Sequence, residues 1–205
     1  MIAIINYGMG NLRSVFNAFS VLGADARILD GPEELREAER IVLPGVGAFG
    51  DAMHNLRKRG WIEALEEEVL LKEKPYLGIC LGLQLLATVG LEHGTHLGLS
   101  WISGVVEKIQ CDDPDLRVPH IGWNDVYFRK DEGLSGGLGE KNTFYFLHSY
   151  VFKPEDASVI DGTCHYGIEF VASIEKGNIW GTQFHPEKSQ KAGLKVLQNF
   201  VHIGR

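Results

Sequence analysis

The first ninety residues alternate between short apolar runs and longer stretches whose apolar residues recur at helical spacing. "IAII" predicts a buried strand, and "NLRSVFNAFSVLG" after it has the three- and four-residue spacing of an amphipathic helix. The same alternation predicts strands at "ARILD", "RIVLPG" and "PYLGI", and helices at "PEELREAE", "WIEALEEEVLLKEK" and "CLGLQLLATVG". Strands that alternate with helices are typical of parallel strands joined by right-handed crossovers.

The pattern changes after Gly90, where strand-like segments follow one another with few helical stretches. These segments are "WISGVVEKIQ", "NDVYF", "TFYFLHSYVF" and "GIEFVASI", before a final helix at "KAGLKVLQNFVHI". The glycine- and charge-rich segment 131–142 predicts a flexible loop. The sequence therefore predicts an α/β fold with a doubly wound, mostly parallel central sheet, helices on both faces and an antiparallel extension in the second half.

Size and charge narrow the class of protein. The 205 residues suit one substantial core, and no linker or repeat interrupts them, so we expect a single domain over 1–205. The net charge of −7 and the absence of a basic run argue against nucleic-acid binding. No apolar run reaches the roughly 18 residues of a membrane span, and no basic leader opens the chain. Three unpaired cysteines favour a reducing, cytoplasmic location.

The stretch "YLGICLGLQLLA" offers a candidate nucleophile, Cys80. Catalytic groups of doubly wound sheets gather at the carboxyl ends of strands, where Cys80 falls. Gly78 and Gly82 give it the small-x-nucleophile-x-small pattern of a nucleophile elbow, and the helix predicted after it would stabilise a thiolate. A buried structural cysteine is the alternative, and this pattern alone does not decide between the two. Cys111 and Cys164 lack such a context and are interpreted as structural.

Two further segments supply the groups that a cysteine nucleophile needs. In "GTQFHPEKS", an extended chain would turn His185 and Glu187 to the same side, so that the carboxylate orients the ring. A solvated turn is the alternative for this pair. The glycines of "LPGVGAF" would leave backbone N–H groups bare for an oxyanion, although a plain tight turn remains possible. This loop lacks the Lys-Ser/Thr of a P-loop, which argues against phosphate binding.

The segments "GICLGLQ", "LPGVGAFG" and "GTQFHPEKS" together resemble the class I (triad) glutamine amidotransferases. "INYGMGNLRSV", "VPHIGWN" and "FLHSY" extend the resemblance over essentially the whole chain, to the glutaminase subunits of imidazole glycerol phosphate synthase. The resemblance implies a catalytic triad of Cys80, His185 and Glu187. Glutamine would be hydrolysed to glutamate and ammonia through a thioester on the cysteine.

The resemblance also implies the groups around the triad. The oxyanion would be bound by the backbone N–H of Leu81 and by one from the glycine loop, at Val46 or Gly47. The implied substrate-binding residues are Gly47, Gln84, Glu92, Ser149 and Tyr150. A solvated helix position is the alternative for Gln84. No cofactor and no metal are implied.

A partner is implied as well: a (β/α)8-barrel cyclase that forms a heterodimer with the glutaminase and receives its ammonia. That partner would make imidazole glycerol phosphate and aminoimidazole carboxamide ribotide in histidine biosynthesis, and glutaminase activity would be low without it. The implied interface residues are Asn11, Trp123, Asn124, Tyr145 and Lys188. Local packing on the sheet is the alternative for Trp123 and Tyr145.

Other functions remain open at this point. The same glutaminase chemistry could feed a related sugar amidotransferase of surface-polysaccharide synthesis. A catalytically silent docking module and a cysteine protease of related fold are alternatives from other classes. A metal site built from Cys80, His93, His96 and His185 is a further one, although these residues lack zinc-finger spacing.

Overall fold

The computed structural model describes residues 1–111, 113 and 116–203. The strands are β1 (Ile2–Ile5), β2 (Ala26–Leu29), β3 (Arg40–Gly45), β4 (Tyr76–Cys80), β5 (Val89–Gly90), β6 (His96–Leu97), β7 (Gly104–Lys108), β8 (His120–Phe128), β9 (Lys141–His148), β10 (Tyr150–Pro154), β11 (Ile160–Tyr166), β12 (Ile168–Lys176) and β13 (Ile179–Thr182). The helices are α1 (Leu12–Val21), α2 (Phe49–Lys58), α3 (Trp61–Leu65), which continues as a π-helix over Glu66–Leu71, α4 (Leu81–Gln84) and α5 (Gln190–His202). Short 3₁₀ turns lie at Pro32–Glu37, Gly133–Ser135, Ala157–Val159 and Pro186–Lys188.

Nine strands form the main sheet in the order β2-β1-β3-β4-β13-β12-β11-β8-β9. The strands from β2 to β13 pair in parallel, whereas those from β13 to β9 pair antiparallel. A smaller sheet has the order β10-β7-β5-β6. The predicted fold class, a mostly parallel sheet with an antiparallel extension, is confirmed.

Helices cover both faces of the main sheet because successive residues of its strands point to opposite sides. In β1, Ala3 and Ile5 belong to the core beneath α2 and α3, while Ile2 and Ile4 belong to the core beneath α1 and α5. Helix α1 buries Val15, Ala18 and Phe19 and is followed by Gly23 with a φ of +70°. The predicted first and last helices are thus confirmed. In the described part of the chain, no helix combines the length and apolarity needed to cross a bilayer.

Helix α2 was not predicted, although its buried residues follow a helical period. Phe49, Ala52, Met53 and Leu56 are all buried, at the three- and four-residue spacing of one helix face. The glycine loop that precedes α2 was interpreted for its backbone N–H groups, and the residues after it were not assigned to a helix. Helix α2 therefore begins directly after the predicted oxyanion loop.

The helix predicted after Cys80 is much shorter than expected. Helix α4 spans only four residues, because the carbonyls that would continue it accept hydrogen bonds from another segment. Leu99, Ile102 and Ser100 donate backbone N–H groups to Leu85, Leu86 and Ala87, respectively. A helix of one turn has a small dipole. We therefore expect α4 to stabilise a thiolate at Cys80 much less than a longer helix would.

The second half also differs from the prediction. "WISGVVEKIQ" and the end of "TFYFLHSYVF" supply β7 and β10 of the smaller sheet and do not extend the main one. Strand β11 was missed, and it pairs with both β8 and β12 inside the sheet. The segment 131–142, predicted as a flexible loop, contains a 3₁₀ turn whose Ser135 is fully buried. Its hydroxyl contacts a carboxylate oxygen of Asp161 and the carbonyls of Lys130 and Glu132. This segment is therefore anchored to the sheet.

Three adjacent strands bring the candidate chemistry together. Strand β4 lies between β3 and β13, and all three run in the same direction. Gly45 at the end of β3 is in register with Cys80, and Thr182 at the end of β13 is in register with Ile79. The glycine loop, Cys80 and the segment leading to His185 consequently leave the sheet at one edge.

Candidate active site

Cys80 occupies a sharp turn between β4 and α4. Its φ of +54° and ψ of −106° lie in a region that L-residues rarely adopt. A Cβ added at Gly78 would come within 2.4 Å of the carbonyl oxygen of Gly82. One added at Gly82 would come within 1.8 Å of the carbonyl oxygen of Leu43. Only glycine fits at these two positions, as the nucleophile-elbow pattern predicted.

His185 and Glu187 are joined by a hydrogen bond of 2.9 Å between Nδ1 and Oε1. The predicted contact is confirmed, but the expected extended chain is wrong: Pro186–Lys188 forms a 3₁₀ turn. Ser189 steadies this turn, since its hydroxyl donates to the carbonyl of His185 over 2.6 Å. The side chains of His185 and Glu187 are 2% and 1% exposed. The alternative of a solvated turn is therefore excluded.

The charge state of His185 follows from its neighbours. Burial disfavours a charged ring, but the charge of Cys80 and then the hydrogen bond and charge of Glu187 outweigh it and raise the pKa of His185 to about 10. Nε2 of this ring is buried and has no hydrogen-bond partner of ordinary geometry among the described residues. Because Nδ1 is taken by Glu187, Nε2 is the atom available to exchange a proton with the cysteine or a leaving group.

An open cleft of about 390 Å³ lies over Cys80, within the size range of small-molecule sites. Every predicted oxyanion and substrate-binding residue lines it, with four others that the sequence interpretation did not single out. The lining residues are Val46, Gly47, Ala48, Cys80, Leu81, Gln84, Glu92, Pro119, Leu147, His148, Ser149 and Tyr150. Residues from distant parts of the chain thus enclose one space beside the candidate nucleophile.

Gln84 and Glu92 make defined contacts in this cleft. Gln84 is buried, so the alternative of a solvated helix position is wrong. Its Nε2 donates to the carbonyl of Tyr150 at 2.9 Å and to Oε1 of Gln183 at 3.1 Å. A carboxylate oxygen of Glu92 accepts the N–H of Phe49 at 2.8 Å, which ties the start of α2 to the rim of the cleft.

The sequence interpretation missed Gln183 and His148. Gln183 is fully buried, and its Nε2 lies 3.6 Å from Sγ of Cys80. It stands two residues before His185, so the period of two along an extended chain was a usable signal. His148 is the third residue of the quoted "FLHSY" segment, but nothing in that pattern distinguished it from a core histidine.

His148 forms a buried pair with His120 of the neighbouring strand. Nε2 of His148 lies 3.1 Å from Nδ1 of His120, and its Nδ1 lies 3.0 Å from the carbonyl of Tyr150. Since that carbonyl can only accept, Nδ1 of His148 carries the proton and Nε2 accepts one from His120. Burial lowers the pKa of His120 to about 4 and, more strongly, that of His148 to about 3. Both rings are therefore neutral at pH 7.

Three of the five predicted interface residues, Trp123, Tyr145 and Lys188, lie in one region, and Asn124 faces the other side of β8. Trp123 and Tyr145 are cross-strand partners with ring centroids 6.0 Å apart, and Nζ of Lys188 lies 5.7 Å from the Tyr145 ring. Trp123 is 48% exposed, so local packing does not account for it fully. Asn124 is half-buried and donates to the carbonyl of His165. Asn11 stands at the start of α1, which packs against the turn that contains Lys188.

The remaining cysteines and histidines do not form a second site among the described residues. Burial raises the pKa of the Cys164 thiol to about 12, and this side chain is 1% exposed. Cys111 is half-buried, and all three thiols are free. No group of three or more potential ligands that could hold a metal ion occurs in the described part of the chain.

Comparisons with known proteins give concordant results. The family model described as "Glutamine amidotransferase class-I" matches residues 3–203. The chain is 47% identical over 203 residues to imidazole glycerol phosphate synthase subunit HisH 1 of Campylobacter jejuni strain 81-176, covering 99% of this chain and 100% of the relative. It is 47% identical over 204 residues to subunit HisH of Moorella thermoacetica, covering 100% and 95%. The structure of PurLQS from Thermotoga maritima has a TM-score of 0.78 at 18% identity, covering 100% of this chain and 98% of that one, which supports the fold.

Proposed function

Because the chain belongs to the class-I glutamine amidotransferase family, we propose that it is the glutaminase subunit of an imidazole glycerol phosphate synthase. In this proposal Cys80, His185 and Glu187 hydrolyse glutamine, and the ammonia passes to a partner subunit. The observation that carries it is the meeting of three adjacent strand ends, which bring a cysteine elbow and a glycine loop to one cleft and place beside Cys80 a buried histidine that is hydrogen-bonded to a carboxylate. The relatives named as HisH subunits support the pathway.

The proposed reaction begins when Sγ of Cys80 attacks the side-chain amide carbon of glutamine. The tetrahedral oxyanion would be stabilised by the N–H of Leu81 and by one N–H of the glycine loop, at Val46 or Gly47. Such donors act on charge that develops in the transition state, and loss of one typically lowers the rate by ~10²–10³. Collapse of this intermediate expels ammonia, which takes a proton from Nε2 of His185.

The second half-reaction frees the enzyme. His185, now neutral at Nε2, would take a proton from water as this water attacks the glutamyl thioester. A second oxyanion would use the same N–H donors, and glutamate would leave with Cys80 restored. Glu187 keeps the imidazole in one tautomer and stabilises its charged form in both steps. The predicted substrate residues Gly47, Gln84, Glu92, Ser149 and Tyr150 would hold the glutamine; their position around the cleft supports this role.

We propose a (β/α)8-barrel cyclase as the partner, in a heterodimer. It would combine the ammonia with a ribulose-phosphate intermediate to give imidazole glycerol phosphate and aminoimidazole carboxamide ribotide. Exposed apolar side chains on one face of β8, at Ile121, Trp123 and Tyr127, support a partner surface there. Asn11, Asn124, Tyr145 and Lys188 would complete the interface. The three free cysteines support a cytoplasmic location as part of the proposal.

We expect low glutaminase activity until the partner and its ligand bind. Val46 of the glycine loop is 37% exposed, so a docked partner could reach it and reorient the N–H groups beside it. The measurement is glutamate release with and without the cyclase. Equal turnover in both conditions would contradict partner activation but would leave the triad unaffected.

The main test replaces the nucleophile. In the complex with the cyclase, Cys80→Ala should abolish glutamine-dependent synthesis of imidazole glycerol phosphate and retain synthesis from added ammonium. Cys111→Ala is the matched control, since it removes a thiol that lies outside the cleft. Retained glutamine use by Cys80→Ala would overturn the proposed chemistry. Synthesis of an amidated sugar instead would move the same chemistry to another pathway.

A further inference from the structure

Gln183 is a buried polar residue for which the triad mechanism has no role. It is 0% exposed and lies between two polar groups of the site. Its Oε1 lies 3.1 Å from Nε2 of Gln84, and its Nε2 lies 3.6 Å from Sγ of Cys80. That sulfur also lies 3.8 Å from the carbonyl oxygen of Leu147. The titratable groups His185 and Tyr7 also interact electrostatically with this sulfur, and Gln183 and Leu147 add one uncharged hydrogen-bond donor and one acceptor as fixed neighbours.

The hydrogen bonds around Gln183 can run in only one direction. The carbonyl of Tyr150 is an acceptor, so the Gln84 atom at 2.9 Å from it is the amide nitrogen. That same nitrogen approaches Gln183, whose facing atom must then be its oxygen. The nitrogen of Gln183 is consequently turned towards Cys80. A flipped Gln183 carboxamide would oppose nitrogen to nitrogen at Gln84 and oxygen to sulfur at Cys80.

We propose that Gln183 is a positioning residue that donates a hydrogen bond to the Cys80 thiolate and holds Sγ at the floor of the cleft. This inference rests on the proposed role of Cys80 as the nucleophile. The two neighbours of Sγ favour different protonation states: a thiol donates to the carbonyl of Leu147, whereas a thiolate is repelled by that carbonyl and accepts from Gln183. Gln84 acts through Gln183, because it fixes which end of the carboxamide faces the sulfur.

The experiment measures alkylation of Cys80 by iodoacetamide as a function of pH, in the full chain without partner or glutamine. Mass spectrometry of the Cys80 peptide reports the rate, and Cys111 in the same sample is the reference thiol. Gln183→Met removes the donor and should lower the rate at pH 7 by about 10-fold. The free energy of one hydrogen bond to a charged group corresponds to a factor of about this size. The pH midpoint of the reaction should move upward. Gln183→Glu should move it further, because a carboxylate would face the thiolate.

Thr182→Val is the matched control. It removes the hydrogen bond of a buried hydroxyl, from Thr182 to the carbonyl of Phe184 at 3.0 Å, one residue from Gln183. If the loss of any buried polar group shifted the pH midpoint of Cys80 alkylation, Thr182→Val would shift it too. We expect the midpoint of Thr182→Val to equal that of the wild type. Gln84→Met should shift the midpoint less than Gln183→Met, since the donor remains but its orientation is no longer fixed.

The outcomes separate this inference from the proposed function. If wild-type Cys80 reacts no faster than Cys111, its role as an activated nucleophile is contradicted. If wild-type Cys80 reacts rapidly and both Gln183 variants keep its pH midpoint, only the positioning role is wrong. Thermal unfolding of each variant confirms that the compared proteins are folded. An equal shift in Thr182→Val would assign the effect to the packing of the segment and overturn the proposal.

Discussion

The buried histidine His185 and the buried pair His120 and His148 are held in opposite charge states. His185 is 2% exposed, faces Cys80 and the carboxylate of Glu187, and has its pKa raised to about 10. His120 and His148 are equally buried but face each other and a backbone carbonyl, and burial lowers their pKa values to about 4 and about 3. Burial acts in the same direction on all three rings. The partner atoms therefore decide which ring keeps a proton.

His185 and the pair of His120 and His148 are suited to different chemical roles. A charged His185 can deliver a proton to departing ammonia at neutral pH, whereas a neutral His148 cannot. The pair instead forms a directional chain in which His120 donates to His148 and His148 donates to the carbonyl of Tyr150. That chain fixes the position of a carbonyl at the rim of the cleft.

The largest expected effect comes from removing the charge that sets His185 apart. Glu187→Gln keeps the shape of the side chain but removes its charge and lets the carboxamide present a nitrogen to Nδ1. Glutamine hydrolysis in the presence of the partner should fall by ~10²–10⁴-fold, as when the orienting carboxylate of a triad is replaced. The pKa of His185, measured by NMR titration, should fall below about 10.

Glu169→Gln, at an exposed carboxylate on β12, is the control for the Glu187 variant. A Glu187→Gln protein with wild-type turnover would show that the hydrogen bond to His185 has no catalytic importance. The Glu187 variant should also change how the stability of the protein depends on pH. Stability from a raised histidine pKa is fully present below the unfolded value of about 6.5 and is lost as pH rises through about 10. In Glu187→Gln this stability should be lost at a lower pH than in the wild type, because the pKa of the folded His185 is lower.

A smaller effect is expected on acidification, where the neutral pair should destabilise the protein. Below about pH 6.5 the unfolded chain binds protons at His120 and His148, while the folded chain binds them only near pH 4 and pH 3. Each ring should lower the free energy of unfolding by about 2 kcal/mol between pH 7 and pH 5. Urea unfolding at the two pH values measures this loss.

His148→Asn isolates that contribution, because Asn Nδ2 can still donate to the carbonyl of Tyr150. The loss of stability between pH 7 and pH 5 should be smaller than in the wild type by about 2 kcal/mol. His54→Asn, at an exposed histidine on α2, is the matched control for removing one imidazole. An unchanged acid-induced loss in His148→Asn would show that this ring does not account for the acid sensitivity.

The smallest expected effect comes from giving the neutral pair a charged neighbour. Nδ2 of Asn124 lies 3.4 Å from Nε2 of His120 and donates to the carbonyl of His165 at 2.9 Å. Asn124→Asp would place a carboxylate beside Nε2 of His120, so the pKa of His120 should rise above about 4. Because Asn124 is half-buried, we expect a rise of about one unit, measured by NMR titration. Asn124→Ala is the control without charge, and an equal rise in both variants would contradict an electrostatic cause.

Features that depend on residues close together in the sequence were predicted, and features that depend on contacts between distant segments were not. Cys80 with its flanking glycines, and His185 with Glu187, are local patterns whose contacts form within two or three residues. The length of α4 is set by the segment 98–102, which takes the carbonyls of Leu85, Leu86 and Ala87. No local pattern in "CLGLQLLATVG" contains that competition, so the helix was overestimated.

The histidine pair was unpredictable for the same reason. His120 and His148 are 28 residues apart and meet only because β8 and β9 pair with these two residues in register. A shift of register by one residue would turn one ring to the opposite face of the sheet. Gln183 is different, since its position two residues before His185 could have been used. Its carboxamide has no acid–base chemistry, so Gln183 was not among the predicted site residues.

The close packing around the elbow glycines has a consequence for motion. Gly82 lies against the carbonyl of Leu43, and a Cβ at Gly45 would meet both the hydroxyl of Tyr7 and the side chain of Leu81. The end of β3 is thus clamped to the nucleophile as far as Gly45, and the first point at which the glycine loop can hinge is Val46. A partner that pushes on this loop would rotate only the proposed oxyanion donor at Val46 or Gly47 about a fixed pivot, and would leave Leu81 and Cys80 in place. In the proposed reaction, rotation of one peptide group in the loop would then turn ammonia release on or off without any movement of Cys80.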